Sequence, residues 1–119
     1  LSLIPLVAMT SPDHRIKNAC LGATGFIYCV GTLGVTGVAK TAFDRVHALV
    51  DEVRNHADIP VGVGFGIRTG DDVRKVAEFA DIAIVGSALV DVIGDGPADG
   101  SAERAGALVR ELAAAARAS

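Results

Sequence analysis

Three glycine-rich segments of this chain have the composition of a phosphate-binding site. They are residues 31–37 (GTLGVTG), residues 64–67 (GFGI) and residues 86–88 (GSA). Glycine lets backbone N–H groups approach an anion with no Cβ in the way. Gly86 and Ser87 also open a predicted helix, whose first N–H groups and positive dipole end attract phosphate. Tight turns alone would also use glycine, but three such segments favour a phosphate site.

The same regions lack the side chains that acid–base chemistry requires. No Asp, Glu, His, Cys or Lys directly follows a predicted strand, although a general acid or base must lie within hydrogen-bond reach of its substrate. Asp13 and His14 come where a helix begins, and we interpret them as a cap and a solvated residue. Lys40 and Arg68 are interpreted as solvated loop cations, although either could lend charge to a phosphate. The sequence therefore predicts a chain that binds a ligand but has no catalytic residues of its own.

The remaining candidates for chemistry have plainer interpretations. Tyr28 lies near the end of a predicted strand, where its ring could touch a ligand or pack in the core. Cys20 and Cys29 have no metal-ligand spacing around them, so we interpret both as packed, reduced thiols. Asp81 precedes a strand, on the side away from the ligand, and is interpreted as structural.

Four short apolar runs, each followed by a helical pattern, must position these residues. The runs are rich in Val and Ile without polar alternation, which is typical of parallel strands buried on both faces. The predicted strands are Leu3–Ala8, Phe26–Val30, Val61–Phe65 and Ile82–Val85. The predicted helices are Asp13–Ala23, Phe43–Asn55, one that follows a capping box at Thr69 and Asp72, Ser87–Ile93 and Ser101–Ala116.

This alternation predicts an α/β fold with four parallel strands, the C-terminal half of a TIM (β/α)8 barrel. A complete barrel needs roughly 250 residues, and the chain has 119. We therefore expect residues 1–119 to form a single partial domain, part of something longer. Phosphate sites in TIM barrels use the loops after the last two strands and the start of a short extra helix, which is where residues 64–67 and 86–88 fall.

Composition and charge exclude several other classes of protein. The formal net charge of −3 leaves no basic face for nucleic acid. Hydrophobic residues make up 50% of the chain and charged residues 21%, which suits a buried core. No signal-peptide pattern is visible, and no apolar run reaches the roughly 18 residues of a membrane span. We expect a cytoplasmic protein.

Five segments together resemble the tryptophan synthase alpha chain family, in the same order and at fitting intervals. The resemblance extends to about Ile93, and the tail fits that family's last helix. The GVTG segment is its most specific part, since many phosphate-binding barrels carry turns like GFGI and GSA. The segments are LIPLVA at 3–8, GFIY at 25–28, GVTG at 34–37, VGFGI at 63–67 and VGSA at 85–88.

The resemblance implies a lyase of tryptophan biosynthesis. This family cleaves indole-3-glycerol phosphate to indole and glyceraldehyde 3-phosphate without a metal or organic cofactor. It works with a pyridoxal-phosphate beta chain in an α2β2 heterotetramer. Its acidic pair, one Glu and one Asp, comes from the first half of the barrel. This segment alone is therefore expected to be inactive.

The resemblance also carries over a set of substrate-binding residues. Gly37, Gly66, Gly86 and Ser87 hold the phosphate, largely through backbone N–H groups.

The resemblance places four other residues around the rest of the substrate. Tyr28 and Phe65 border the substrate and Ile84 lines its pocket. Thr36 lies on a loop that closes over the site. The full set is Tyr28, Thr36, Gly37, Gly64, Phe65, Gly66, Ile84, Gly86 and Ser87.

Two positions depart from the family's pattern. Met9 stands where the family usually has Pro, which loosens a turn. Gly31 stands where it usually has Ser, which removes a hydroxyl near the ligand.

Two other functions fit the same residues. The first is a non-catalytic half-barrel that binds phosphate or assembles, since its open strand edges would pair with the missing N-terminal half or a second copy. The second is a related phosphate-binding lyase that needs no beta chain.

Overall fold

Each strand of the sheet pairs in parallel with the strand that follows it in the sequence. The computed structural model describes residues 1–8, 11–31 and 40–118. The strands in these ranges are β1 (Leu6–Ala8), β2 (Ile27–Val30), β3 (Val61–Gly64) and β4 (Ile82–Ala83). The helices are α1 (Asp13–Leu21), α2 (Lys40–Arg54), α3 (Gly70–Ala77), α4 (Ser87–Gly94) and α5 (Ser101–Arg117).

The strand order β1-β2-β3-β4 determines where the helices lie. Crossovers between parallel strands are right-handed. When successive strands add in one direction, right-handed crossovers place all their helices on the same face of the sheet. This is the arrangement of a barrel segment, and it confirms the predicted alternation of four parallel strands with helices.

Alternate strand residues build the core between the sheet and the helices. Val7, Cys29 and Val63 are register neighbours on β1, β2 and β3, and all three are buried. Helix α2 packs Val46 and Val50 into the same core. Each of these side chains leaves water, which stabilises the fold by roughly 1.5–3 kcal/mol for a fully buried valine-sized group.

The other face of the sheet is more open, and the prediction of burial on both faces is wrong for the first strand. Leu3 and Leu6 are 65% and 68% exposed. The strand also begins at Leu6 rather than at Leu3, and Pro5 contributes only its carbonyl, which accepts a hydrogen bond from the Tyr28 N–H at 3.0 Å. β1 is an edge strand, and its open face has no covering layer among the residues that the structure describes.

A carboxylate at the amino-terminal edge of the sheet joins three elements. Asp81 accepts a hydrogen bond from the Val61 N–H, at the start of β3, at 3.0 Å. It also pairs with the Arg54 guanidinium, at the end of α2, at 3.0 Å. The interpretation of Asp81 as a structural residue agrees with these contacts.

The predicted helix caps differ in outcome. The capping box at Thr69 and Asp72 is confirmed, with both reciprocal hydrogen bonds formed. The cap predicted for Asp13 is wrong, because Pro12 occupies the N-cap position and no side chain caps that helix. The Ser11 hydroxyl instead accepts a hydrogen bond from the N–H of Ala8, the last residue of β1, at 3.0 Å.

No helix within residues 1–8, 11–31 and 40–118 is long and apolar enough to cross a membrane.

The two thiols are free and buried, as the sequence predicted. Burial raises the pKa of Cys29 from 9.0 to about 12; the nearby Cys20 adds to the rise, and Arg54 opposes it. Burial also raises the pKa of Cys20. Both groups are therefore neutral at physiological pH and weak nucleophiles, since the thiolate is the reactive form.

The raised pKa of Cys29 predicts a loss of stability at alkaline pH. Below pH 9.0 the thiol is protonated in both the folded and unfolded chain, and its contribution is fully present. Between pH 9.0 and about 12 only the unfolded chain loses the proton, which lowers the free energy of unfolding. Guanidinium unfolding followed by circular dichroism should show falling midpoints over this range. The Cys29→Ala variant should show a shallower fall, and an equal slope in both proteins would contradict this account.

Candidate phosphate site at the carboxyl ends of the strands

Three strands end level with one another at the edge where a ligand would bind. Ala8, Val30 and Gly64 are register partners and are the last residues of β1, β2 and β3. The Gly31 N–H continues the ladder with a 3.0 Å hydrogen bond to the Gly64 carbonyl. The segments that follow β2, β3 and β4 therefore start from one edge of the sheet.

The segment after β3 has a backbone shape that requires glycine. Gly66 has a φ of 68°, in the left-handed region, where an L-residue costs roughly 1–2 kcal/mol. Its neighbours Phe65 and Ile67 are buried and anchor the turn on both sides. The turn thus presents backbone at its tip while its side chains stay in the core.

The segment after β4 exposes an uncapped helix start. Gly86 is the N-cap of α4, no side chain caps this end, and the first turn holds no acidic residue. A Cβ added at Gly86 would meet nothing within 4 Å. Ser87, the first residue of the helix, is exposed. Unpaired N–H groups and the positive end of the helix dipole make such a start favourable for an anion.

Two glycines of β3 make room for larger side chains on the open face of the sheet. A Cβ at Gly64 would lie 2.7 Å from the Tyr28 hydroxyl oxygen. A Cβ at Gly62 would lie 3.0 Å from Ile84 Cδ1 and 3.2 Å from the Phe26 ring. Tyr28, Ile84 and Phe26 therefore lie over β3, on the face opposite the helices. We call this surface the β3 trough.

The trough contains two residues that the sequence analysis missed, Gly62 and Phe26. The signal was the strict Val-Gly-Val-Gly alternation of residues 61–64, which separates a core face from a glycine face. Tyr28 and Ile84, predicted to lie at a substrate pocket, are both half-buried here.

Phe65 lies in the core and not on the open face. Its side chain is 5% exposed and packs edge-on against Phe43 of α2, with the ring centroids 4.9 Å apart. The prediction that its ring borders a substrate gains no support from this placement. The backbone of residues 64–66 still lies at the carboxyl end of β3.

The departure at Gly31 has a structural explanation. A Cβ there would lie 2.6 Å from the Phe65 Cβ and 3.2 Å from Val46 Cγ2. A side chain at this position would therefore point into the core. The glycine permits the close approach of β2 to Phe65.

Several predicted residues lie outside the part of the chain that the structure describes. These are Met9, Thr36 and Gly37, together with the rest of the closing loop; the side chain of Lys40 is also outside the described part.

The charged side chains nearest in sequence to the two glycine turns are engaged with each other or with backbone. Arg68 pairs with Asp91 of α4 at 2.9 Å. Asp72 accepts hydrogen bonds from the Arg68 and Thr69 N–H groups at 3.0 and 3.2 Å. Within the described ranges, no group of three or more His, Cys, Asp or Glu is arranged to hold a metal. The described geometry at these two turns suits binding an anion through backbone N–H groups.

The four sequential parallel strands and their helices define a class, the (β/α)-barrel proteins. Comparison with known proteins then gives the family. A model of the tryptophan synthase alpha chain family matches residues 1–117, and the chain belongs to that family. It is 48% identical over 95 residues to the tryptophan synthase alpha chain of Halalkalibacterium halodurans.

Solved structures agree with the sequence matches. A tryptophan synthase structure from Mycobacterium tuberculosis superposes with a TM-score of 0.82 at 40% identity and covers 98% of this chain. The tryptophan synthase alpha subunit of Campylobacter jejuni has a TM-score of 0.73 at 33% identity and covers 88% of this chain. The predicted barrel fold is confirmed.

The chain spans well under half the length of these relatives. It matches 36% of the Halalkalibacterium halodurans protein, with 80% of its own residues in the match. It matches 42% of each of the two solved chains.

The close contact at Gly31 predicts that the family's usual residue is unfavourable here. Gly31→Ser should lower the free energy of unfolding by about 1–3 kcal/mol, because the new Cβ overpacks the core at Phe65. Gly22→Ala is the matched control, since a Cβ at Gly22 meets nothing within 4 Å. Denaturant unfolding of both variants tests this. Equal stability of Gly31→Ser and the parent chain would contradict the packing described here.

Proposed function

We propose that this chain supplies the substrate phosphate site of a tryptophan synthase alpha-type lyase. The observation that carries the proposal is the juxtaposition of two backbone features. The left-handed turn at Gly66 and the uncapped helix start at Gly86 and Ser87 follow adjacent strands at one edge of the sheet. Both offer backbone to an anion, and no carboxylate occupies the first turn of α4.

Indole-3-glycerol phosphate is the substrate that family membership supports. Its phosphate would lie at Gly66, Gly86 and Ser87, with Gly37 and Thr36 contributed by the closing loop. Its indole and glycerol parts would extend over the β3 trough, where Tyr28 and Ile84 offer an apolar surface beside a hydroxyl. Binding energy from the phosphate would hold the scissile carbon–carbon bond in place for reaction.

The acid and base of the cleavage would come from outside this segment. The resemblance assigns a Glu and an Asp to the first half of the barrel, and the strand ends described here offer no substitute. The chain's own role is thus to bind, orient and enclose the substrate. The full enzyme would act in the cytoplasm with a beta chain that consumes the indole.

Adding the first half of the barrel tests whether this chain binds the substrate while the other half supplies the acid and base. The part of the Halalkalibacterium halodurans alpha chain that supplies the first barrel half would be fused ahead of residue 1. We expect the fusion to release indole from indole-3-glycerol phosphate, and added beta chain to raise its rate. The chain alone should release none. An inactive fusion that folds and binds glycerol 3-phosphate would favour the non-catalytic alternative, and activity indifferent to beta chain would favour the independent lyase.

Gly86→Asp in the fusion tests the phosphate site itself. An N-cap Asp satisfies helix N–H groups and stabilises the helix, while its carboxylate occupies and repels the phosphate position. We expect KM for indole-3-glycerol phosphate to rise at least about tenfold, the effect of about 1.4 kcal/mol of lost binding, without loss of thermal stability. Gly22→Asp adds the same charge at another open glycine and should leave KM unchanged. An unchanged KM in Gly86→Asp would overturn the site.

A further inference from the structure

The two backbone arms of the proposed phosphate site are joined by one side-chain contact. Arg68 comes two residues after Gly66, and Asp91 comes four residues after Ser87, one turn into α4. The Arg68 guanidinium donates to Asp91 Oδ2 at 2.9 Å. This is the only ion pair within the described residues that links the segment after β3 to α4.

Arg68 reaches α4 from a fixed backbone. Its N–H donates to Asp72 Oδ2 at 3.0 Å, and the same oxygen accepts from the Thr69 N–H. Ile67, just before it, is buried. From this fixed backbone the Arg68 side chain extends towards α4.

The far end of α4 is fixed by a different arginine. Arg104 of α5 donates to the carbonyls of Val92, Ile93 and Pro97 at 2.9–3.0 Å. Val92 and Ile93 lie in the last turn of α4, where a cation is favourable, and Pro97 lies in the segment that follows the helix. Asp91 lies one turn after Ser87, so the Arg68–Asp91 pair joins the part of α4 that follows its first turn to the segment after β3.

We infer that Arg68 and Asp91 are a positioning pair that sets the distance between the two arms of the phosphate site. This rests on the proposed function. The pair acts on the backbone that it connects: Asp72 holds the Arg68 N–H, and the Arg68 guanidinium donates to Asp91 of α4. Both side chains are about half exposed, so the pair contributes modestly, in the range of exposed ion pairs.

The direction in which Asp91→Asn changes phosphate affinity distinguishes a positioning role of Arg68 from direct contact with the phosphate. If Arg68 bound phosphate itself, or acted only through long-range charge, Asp91→Asn would free or strengthen it and tighten binding. If the pair positions α4, Asp91→Asn and Arg68→Gln both weaken binding, and the double variant is no weaker than either one. Exchanging the two residues, Arg68→Asp with Asp91→Arg, restores the contact and should restore affinity.

The experiment is calorimetric titration of the completed fusion chain with inorganic phosphate, at high ionic strength to screen distant charge. We expect Kd to rise about two- to fivefold in each single variant, as for loss of an exposed pair. KM for indole-3-glycerol phosphate should rise in parallel with kcat retained. Asp71→Asn breaks an exposed Asp–Arg pair of the same kind within α3 and should change neither. Unchanged or tighter phosphate binding in Asp91→Asn would overturn the inference.

A second measurement keeps this inference distinct from the proposed function. If the parent fusion binds no phosphate, the proposed function fails. Amide hydrogen exchange at residues 86–88 then decides the positioning role. Faster exchange in Arg68→Gln and Asp91→Asn than in Asp71→Asn would support a pair that holds the start of α4, and equal exchange in all three would overturn it.

Discussion

The handedness of the crossovers is the constraint on which the rest of this structure depends. Four parallel strands joined in sequential order by right-handed connections must carry their helices on one face. That single asymmetry makes one face of the sheet a valine-rich core and leaves the other for side chains such as Tyr28 and Ile84. The parallel orientation of the strands brings their carboxyl ends to one edge, from which the segments after β3 and β4 both start.

The proposed site is built from backbone, and its side chains serve mainly to hold that backbone in place. Phe65 and Ile67 are buried on either side of Gly66, and Asp72 fixes the N–H groups that follow. Arg104 holds the carboxyl end of α4. A site of this kind needs few polar side chains at the ligand, because backbone N–H groups supply the hydrogen bonds.

Local patterns explain which features could be predicted from sequence. The apolar runs and the four-residue Thr69–Asp72 box depend on neighbours in the chain: each run contains a strand, although β1 and β4 are shorter than predicted, and the box is formed. The face on which Phe65 lies depends on register between strands, and the Arg68–Asp91 contact spans 23 residues of sequence. The exposure of Leu3 and Leu6 depends on what covers β1. None of these three features follows from a short stretch of sequence, because each depends on residues outside that stretch.

Because valine and glycine alternate along β3, substitutions at the valines and substitutions at the glycines affect opposite faces of the sheet. Val61 and Val63 face the helices, so replacing them alters thermal tolerance and leaves the trough untouched. Gly62 and Gly64 face Ile84, Phe26 and the Tyr28 hydroxyl, so even one added methyl group reshapes the trough. Adjacent positions of one short strand can therefore evolve, or be engineered, almost independently: one pair changes stability and the other changes the shape of the trough.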